Sequence, residues 1–127
     1  NIAEWTLSES NIDLMILCLG ANDMLRGINP KETKNNLEEI IKIAKNKNIK
    51  VIIAGMIAPT SYGSNYKKSF DKIFYDLSKK YKLQLIPFLL EGVAQKPEFN
   101  LSDGMHPNDQ GTIIIGNTLK NAILENL

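Results

Sequence analysis

The 127 residues contain one cysteine, one histidine and one tryptophan. A lone cysteine, Cys18, excludes an internal disulfide and any cysteine-rich zinc site, and its place in an apolar run predicts a small buried hydrophobe rather than a reactive thiol. With one histidine the chain is poor in metal ligands, and neither a metal nor a cofactor is expected. An excess of charge of one sign is also lacking: 15 basic and 14 acidic side chains give a formal net charge of +1. A nucleic-acid surface would show a strongly basic patch, so no nucleic-acid partner is expected. The lysines gather between Lys42 and Lys50 and between Lys67 and Lys82, at helix ends and on polar faces, where they read as solvated surface. No apolar run approaches the ~20 residues that cross a bilayer, so no transmembrane segment is expected. Repeats, low-complexity tracts and interdomain linkers are absent as well. One domain over residues 1–127 is the simplest organisation.

What is present, 43% hydrophobic and 23% charged residues, is the composition of an ordinary globular chain. Strand and helix patterns alternate along it, which predicts an α/β layer fold with parallel pairing. Ile12 to Leu19 is a nearly continuous apolar run, as in a parallel strand buried on both faces. A helix is predicted over about Pro30 to Asn46 from Leu37, Ile40, Ile41 and Ala44, a strand over Lys50 to Met56, and a helix over about Asn65 to Lys80 from Phe70, Ile73, Phe74 and Leu77. Leu83 to Ile86 reads as a short strand, and the segment through Leu101 as an irregular lid with a brief helix. Pro107 is expected to open a last helix running through Leu127, because a proline in the first turn loses no needed N–H. Asn1 to Trp5 reads as the tail of a helix.

Two motifs carry chemistry. The only histidine lies in Asp103-Gly104-Met105-His106-Pro107. In a tight turn an acid three residues before a histidine can reach its Nδ1–H, fixing the tautomer that leaves Nε2 free to take a proton from a nucleophile. An Asx turn that merely caps the next helix explains the same residues. The Ile12 strand ends at Gly20-Ala21-Asn22-Asp23, and ligands of open α/β sheets bind at the carboxyl ends of strands. Gly20 permits a sharp turn, Asn22 could offer amide N–H groups to an oxyanion, and Asp23 would brace the turn. A turn built from residues that tolerate left-handed conformations is the plain alternative.

Taken together these motifs resemble those of the SGNH, or GDSL-type, hydrolase superfamily, whose blocks include G-x-N-D and D-x-x-H in this order. Leu19 to Gly27, Ile86-Pro87-Phe88, Lys96-Pro97 and Asp103 to Asn108 are similar to the thioesterase I/lysophospholipase L1/arylesterase branch. The resemblance covers essentially the whole chain. It implies a three-layer α/β/α, flavodoxin-like fold and metal-free hydrolysis of carboxylic esters or acyl thioesters by a serine nucleophile. Carried over residue by residue, it makes Asn22 an oxyanion donor, Asp103 the orienting acid and His106 the general base. Periplasmic relatives in that branch are the only pointer to compartment, periplasmic or secreted.

The G-D-S-[LY] block that carries the family's serine is missing from these residues, as is the glycine of its second block. The chain therefore reads as a C-terminal portion whose first strands and nucleophile belong to an upstream segment, expected to act as its partner. Without that segment the sheet would expose an apolar edge and aggregate or recruit a partner. Ser61 and Ser64 follow the second strand but stand on no sharp strand-to-helix elbow, and Ser102 adjoins the acid too closely to reach the far nitrogen of His106. Met24 and Leu25 with Ile57, Ala58, Pro59 and Tyr62, from two neighbouring loops, are candidates for an acyl groove. A carbohydrate deacetylase of the same superfamily and a catalytically inert binding or assembly module are the alternatives.

Overall fold

The computed structural model describes residues 2–9 and 11–126, which fall into two compact units, the first ending at Pro87 and the second beginning at Phe88. In the first unit a short helix α1 (Ile2–Thr6) precedes β1 (Leu14–Leu17), and a five-residue helix α2 (Ala21–Leu25) follows directly from Gly20. Next come α3 (Pro30–Asn46), β2 (Lys50–Ala54), a 3-10 turn (Thr60–Tyr62), α4 (Ser64–Tyr81) and β3 (Gln84–Ile86). The second unit has a 3-10 turn (Pro97–Phe99) and α5 (Asp109–Leu124). Asn1 and Leu127, at the ends of the two terminal helix expectations, lie outside the described residues.

The three strands pair in parallel in the order β1-β2-β3, with Leu17 opposite Ile53 and Ile53 opposite Leu85. β2 is central and Val51 to Ala54 are buried. Among the described residues nothing pairs with the outer edge of β1, which explains one departure from expectation. The strand is four residues long and mostly half-buried, while Cys18 and Leu19 beyond it are exposed. Cys18 is thus no core residue, although partial desolvation of its sulfur still raises the thiol pKa and keeps it protonated.

The two long helices obey the spacing seen in the sequence. α3 starts where Asn29 accepts a hydrogen bond from Lys31 N–H with Pro30 in the first turn, and it buries Thr33, Leu37, Ile41 and Ala44 along one stripe. α4 buries Phe70, Ile73, Phe74 and Leu77 and ends at Lys82, whose left-handed backbone lets Leu83 N–H reach back to Ser78 C=O. Each of these fully buried large side chains contributes about 1.5–3 kcal/mol by leaving water. Where β2 ends, Gly55 allows the chain to pass β3: a Cβ there would sit 2.5 Å from the Pro87 carbonyl oxygen. Both backbone groups of the next buried residue, Ala58, are taken by α4, its N–H by Asp71 (2.7 Å) and its C=O by Lys67 (3.0 Å).

In the second unit the expected role of Pro107 is not observed. Asn108 caps α5, its side chain accepting from Gly111 N–H at 3.0 Å, and Pro107 lies before the cap in a bridge with Asn100. The asparagine oxygen satisfies an N–H that a proline could not, so the helix begins two residues later. Gly111 is required by close packing, since a Cβ would fall 2.2 Å from Phe99 C=O.

Candidate active site

The histidine loop is built within the second unit. Leu101 N–H bonds to His106 C=O (2.8 Å) and Gly104 N–H to Leu101 C=O (2.9 Å), and Gly104 takes the positive φ of 70° that closes the turn. Asn100 pins the loop's entry by donating to Val93 C=O and Lys96 C=O, both at 2.8 Å. Inside this turn Asp103 is used twice. Its Oδ1 accepts from Met105 N–H (2.9 Å) and His106 N–H (3.0 Å), and its Oδ2 lies 2.6 Å from His106 Nδ1. The Asx turn and the acid-imidazole pair, alternatives in the sequence, therefore coexist on one carboxylate. His106 Nε2 has no hydrogen-bond partner among the described residues, and the imidazole is 71% exposed.

Asp103 has its pKa lowered from 3.8 to about 2, first by the hydrogen bond from His106 and then by the two backbone N–H groups. A depressed value in the folded chain means that the turn's stabilisation is complete above the ordinary carboxylate range and is lost as pH falls from about 4 towards 2. The carboxyl-carbon shift of Asp103, followed by NMR through the acid range, should thus show protonation with a midpoint at about 2. A midpoint at or above the unperturbed 3.8 would contradict the pairing.

The Gly20 to Ile28 segment is built within the first unit. Gly20, at φ 122°, turns the chain out of β1, and its C=O accepts from Met24 N–H (2.9 Å) to start α2. Asn22, expected on the turn that Gly20 opens, stands in the first turn of this helix, exposed, its side chain without a hydrogen bond among the described residues. Asp23 braces the turn: its Oδ2 accepts from the Thr33 hydroxyl at 2.8 Å and its C=O from Ile28 N–H at 3.0 Å. A cavity of about 390 Å³ opens here, walled by Leu19, Gly20, Asn22, Asp23, Leu37 and Ile40.

Of the groove candidates, Leu25, Ile57 and Tyr62 are about half exposed and Pro59 is exposed. Met24 packs partly against the core and Ala58 is buried, so these two support the surface from beneath. Three supporting residues were missed in the sequence: Thr33, Asp71 and Tyr66. Thr33 had a readable signal, a lone polar residue on the buried stripe of α3. Ser61, Ser64 and Ser102 are all exposed.

An α/β chain with Gly-x-Asn-Asp after its first parallel strand and an Asp-x-x-His loop before its last helix has the layout of an SGNH-type hydrolase. The chain belongs to the GDSL-like lipase/acylhydrolase family, whose model matches residues 3–112. It is 38% identical over 104 residues to an arylesterase of Vibrio mimicus, covering 82% of this chain and 52% of the relative. It is 37% identical over 90 residues to thioesterase 1/protease 1/lysophospholipase L1 of Escherichia coli K12, covering 71% and 43%. The chain spans about half the length of the curated relatives it matches. Among solved structures, TesA superposes with a TM-score of 0.82 at 31% identity over 94% of this chain and 68% of that one. AlinE4, an SGNH-hydrolase family esterase, gives 0.76 at 34% over 98% and 67%. The fold is accordingly the α/β/α one of these hydrolases.

Proposed function

We propose that this chain supplies the acid, base and oxyanion parts of a serine-dependent ester or thioester hydrolase, and that residues 1–127 form one domain together with an upstream segment carrying the nucleophile. The serine oxygen attacks the acyl carbonyl carbon while its proton passes to His106 Nε2. Asp103 holds the ring and stabilises the imidazolium, and the Asn22 amide donates to the oxyanion. The tetrahedral intermediate then collapses, the C–O or C–S bond breaks, and His106 gives the proton to the departing alcohol or thiol. Water repeats the sequence on the acyl-serine. The exposed apolar strip of Leu25, Ile57 and Tyr62 offers a surface for the acyl chain.

One observation carries this reading: a carboxylate 2.6 Å from Nδ1 of a histidine whose Nε2 has no partner among the described residues. A structural cap needs the backbone bonds to Asp103 and has no use for the imidazole. The test is a fluorophosphonate probe applied to the chain extended upstream through a Gly-Asp-Ser block, with the labelled residue located by mass spectrometry. Label on the upstream serine, together with hydrolysis of p-nitrophenyl butyrate, is the expected result. Label on Ser61, Ser64 or Ser102, or hydrolysis without any label, would overturn it. Strict preference for p-nitrophenyl acetate over longer esters would remove the acyl surface and favour a deacetylase.

A further inference from the structure

A five-residue helix cannot hold itself in place: nucleating one turn fixes several dihedral angles for a single hydrogen bond, and isolated helices of this length do not persist in water. α2 carries Asn22, so the position of that amide must come from ties to the rest of the first unit. The structure shows where they lie. Leu25 is the last residue of α2, and its carbonyl, one of those the helix leaves unpaired, accepts from the Tyr62 hydroxyl at 2.9 Å. Three residues on, Ile28 C=O accepts from the Tyr66 hydroxyl at 2.8 Å. The two rings are neighbours, with centroids 5.3 Å apart, and Tyr66 stacks on Phe70 at 6.1 Å, which meets Phe74 edge-on at 5.7 Å.

Phe70 and Phe74 are fully buried, so the tyrosines are the outer end of an aromatic column rooted in the core. That column touches the α2 segment at both of its glycines. Phe70 Cζ lies 3.6 Å from where a Cβ of Gly20 would be, and the Tyr62 ring lies so close to Gly27 that a Cβ there would fall 2.8 Å from Cε1. Burial raises the Tyr66 pKa above 10.0, with Tyr62 and Asp23 adding to it, so its hydroxyl remains a donor through neutral and mildly alkaline pH.

We propose that Tyr62 and Tyr66 are positioning residues that hold the Gly20–Ile28 segment so that the Asn22 amide is preorganised for the oxyanion. This rests on the reading of Asn22 given above. Neither hydroxyl needs to touch substrate; each acts through the backbone that carries Asn22.

The experiment is a double-mutant cycle in the chain extended through the serine block, measuring kcat and KM for p-nitrophenyl butyrate. Tyr62→Phe and Tyr66→Phe keep both rings and remove one donor each. Each is expected to lower kcat by about tenfold and to change KM by less than about twofold. In an Asn22→Ala background the same substitutions should have no further effect on kcat, because the group they position is gone. Unchanged kcat in both tyrosine variants, or an equal loss with and without Asn22, would overturn the positioning role while leaving the Asn22 assignment intact. Wild-type kcat in Asn22→Ala itself would instead overturn the site reading beneath it.

Discussion

Replacing His106 with alanine, in the chain extended through the proposed serine segment, is expected to lower kcat by roughly 10⁴–10⁶-fold, because the proton transfers on and off the nucleophile lose their carrier. The same variant should fold normally. The imidazole is 71% exposed and among the described residues its ring makes a single hydrogen bond, to Asp103. Asp103→Asn tests the pairing more sharply. An asparagine oxygen can still accept from Met105 and His106 N–H, so the turn survives, but the amide nitrogen would face Nδ1 and favour the tautomer with its proton on Nε2. That error alone is expected to reduce kcat by about 10⁴-fold. Steady-state kinetics with circular dichroism as a folding control checks both. Retention of kcat within about tenfold in either variant would remove the acid-base assignment.

After the acid-base pair, Asn22→Ala has the next largest expected effect on turnover. An oxyanion donor acts where charge develops, so its loss is felt in the transition state more than in substrate binding, and kcat should fall about 10²–10³-fold with little change in KM. The position suits the test, since Asn22 is exposed and its side chain makes no hydrogen bond among the described residues. Truncation therefore leaves no buried group unpaired. Near-normal kcat would contradict the assignment.

The long elements of this fold were legible because burial writes itself into spacing. Leu37, Ile41 and Ala44 on α3, and Phe70, Ile73, Phe74 and Leu77 on α4, are buried as periodicity selects them, while Ile40, selected with them, packs only partly against that core. Ends and edges were harder. Leu14 to Leu17 are as apolar as the central strand, yet only pairing decides which strand lies in the middle, and β1 does not. Pro107 carried a helix-start signal that Asn108 carried as well, and the residue with the acceptor oxygen became the cap.

At the site, the Asp103 to His106 pairing followed from spacing within one turn, where four residues leave the chain few alternatives. The device that fixes α2 did not. Tyr62 and Tyr66 lie 37 and 38 residues from the carbonyls they hold, a distance over which neither periodicity nor motif speaks. Thr33 was the exception, betrayed by a hydroxyl on an otherwise apolar stripe.

On the proposed mechanism the Asn22 amide and the His106 imidazole serve a single reacting centre. The most direct measurement is a crystal structure of the extended chain inactivated by an alkyl fluorophosphonate, whose tetrahedral phosphorus stands for the acyl carbon under attack. The phosphoryl oxygen is expected within hydrogen-bond reach of Asn22 Nδ2, and His106 Nε2 within reach of the serine oxygen bonded to phosphorus. An adduct whose phosphoryl oxygen is met by other donors, with Asn22 turned to solvent or His106 directed away from that serine, would contradict it.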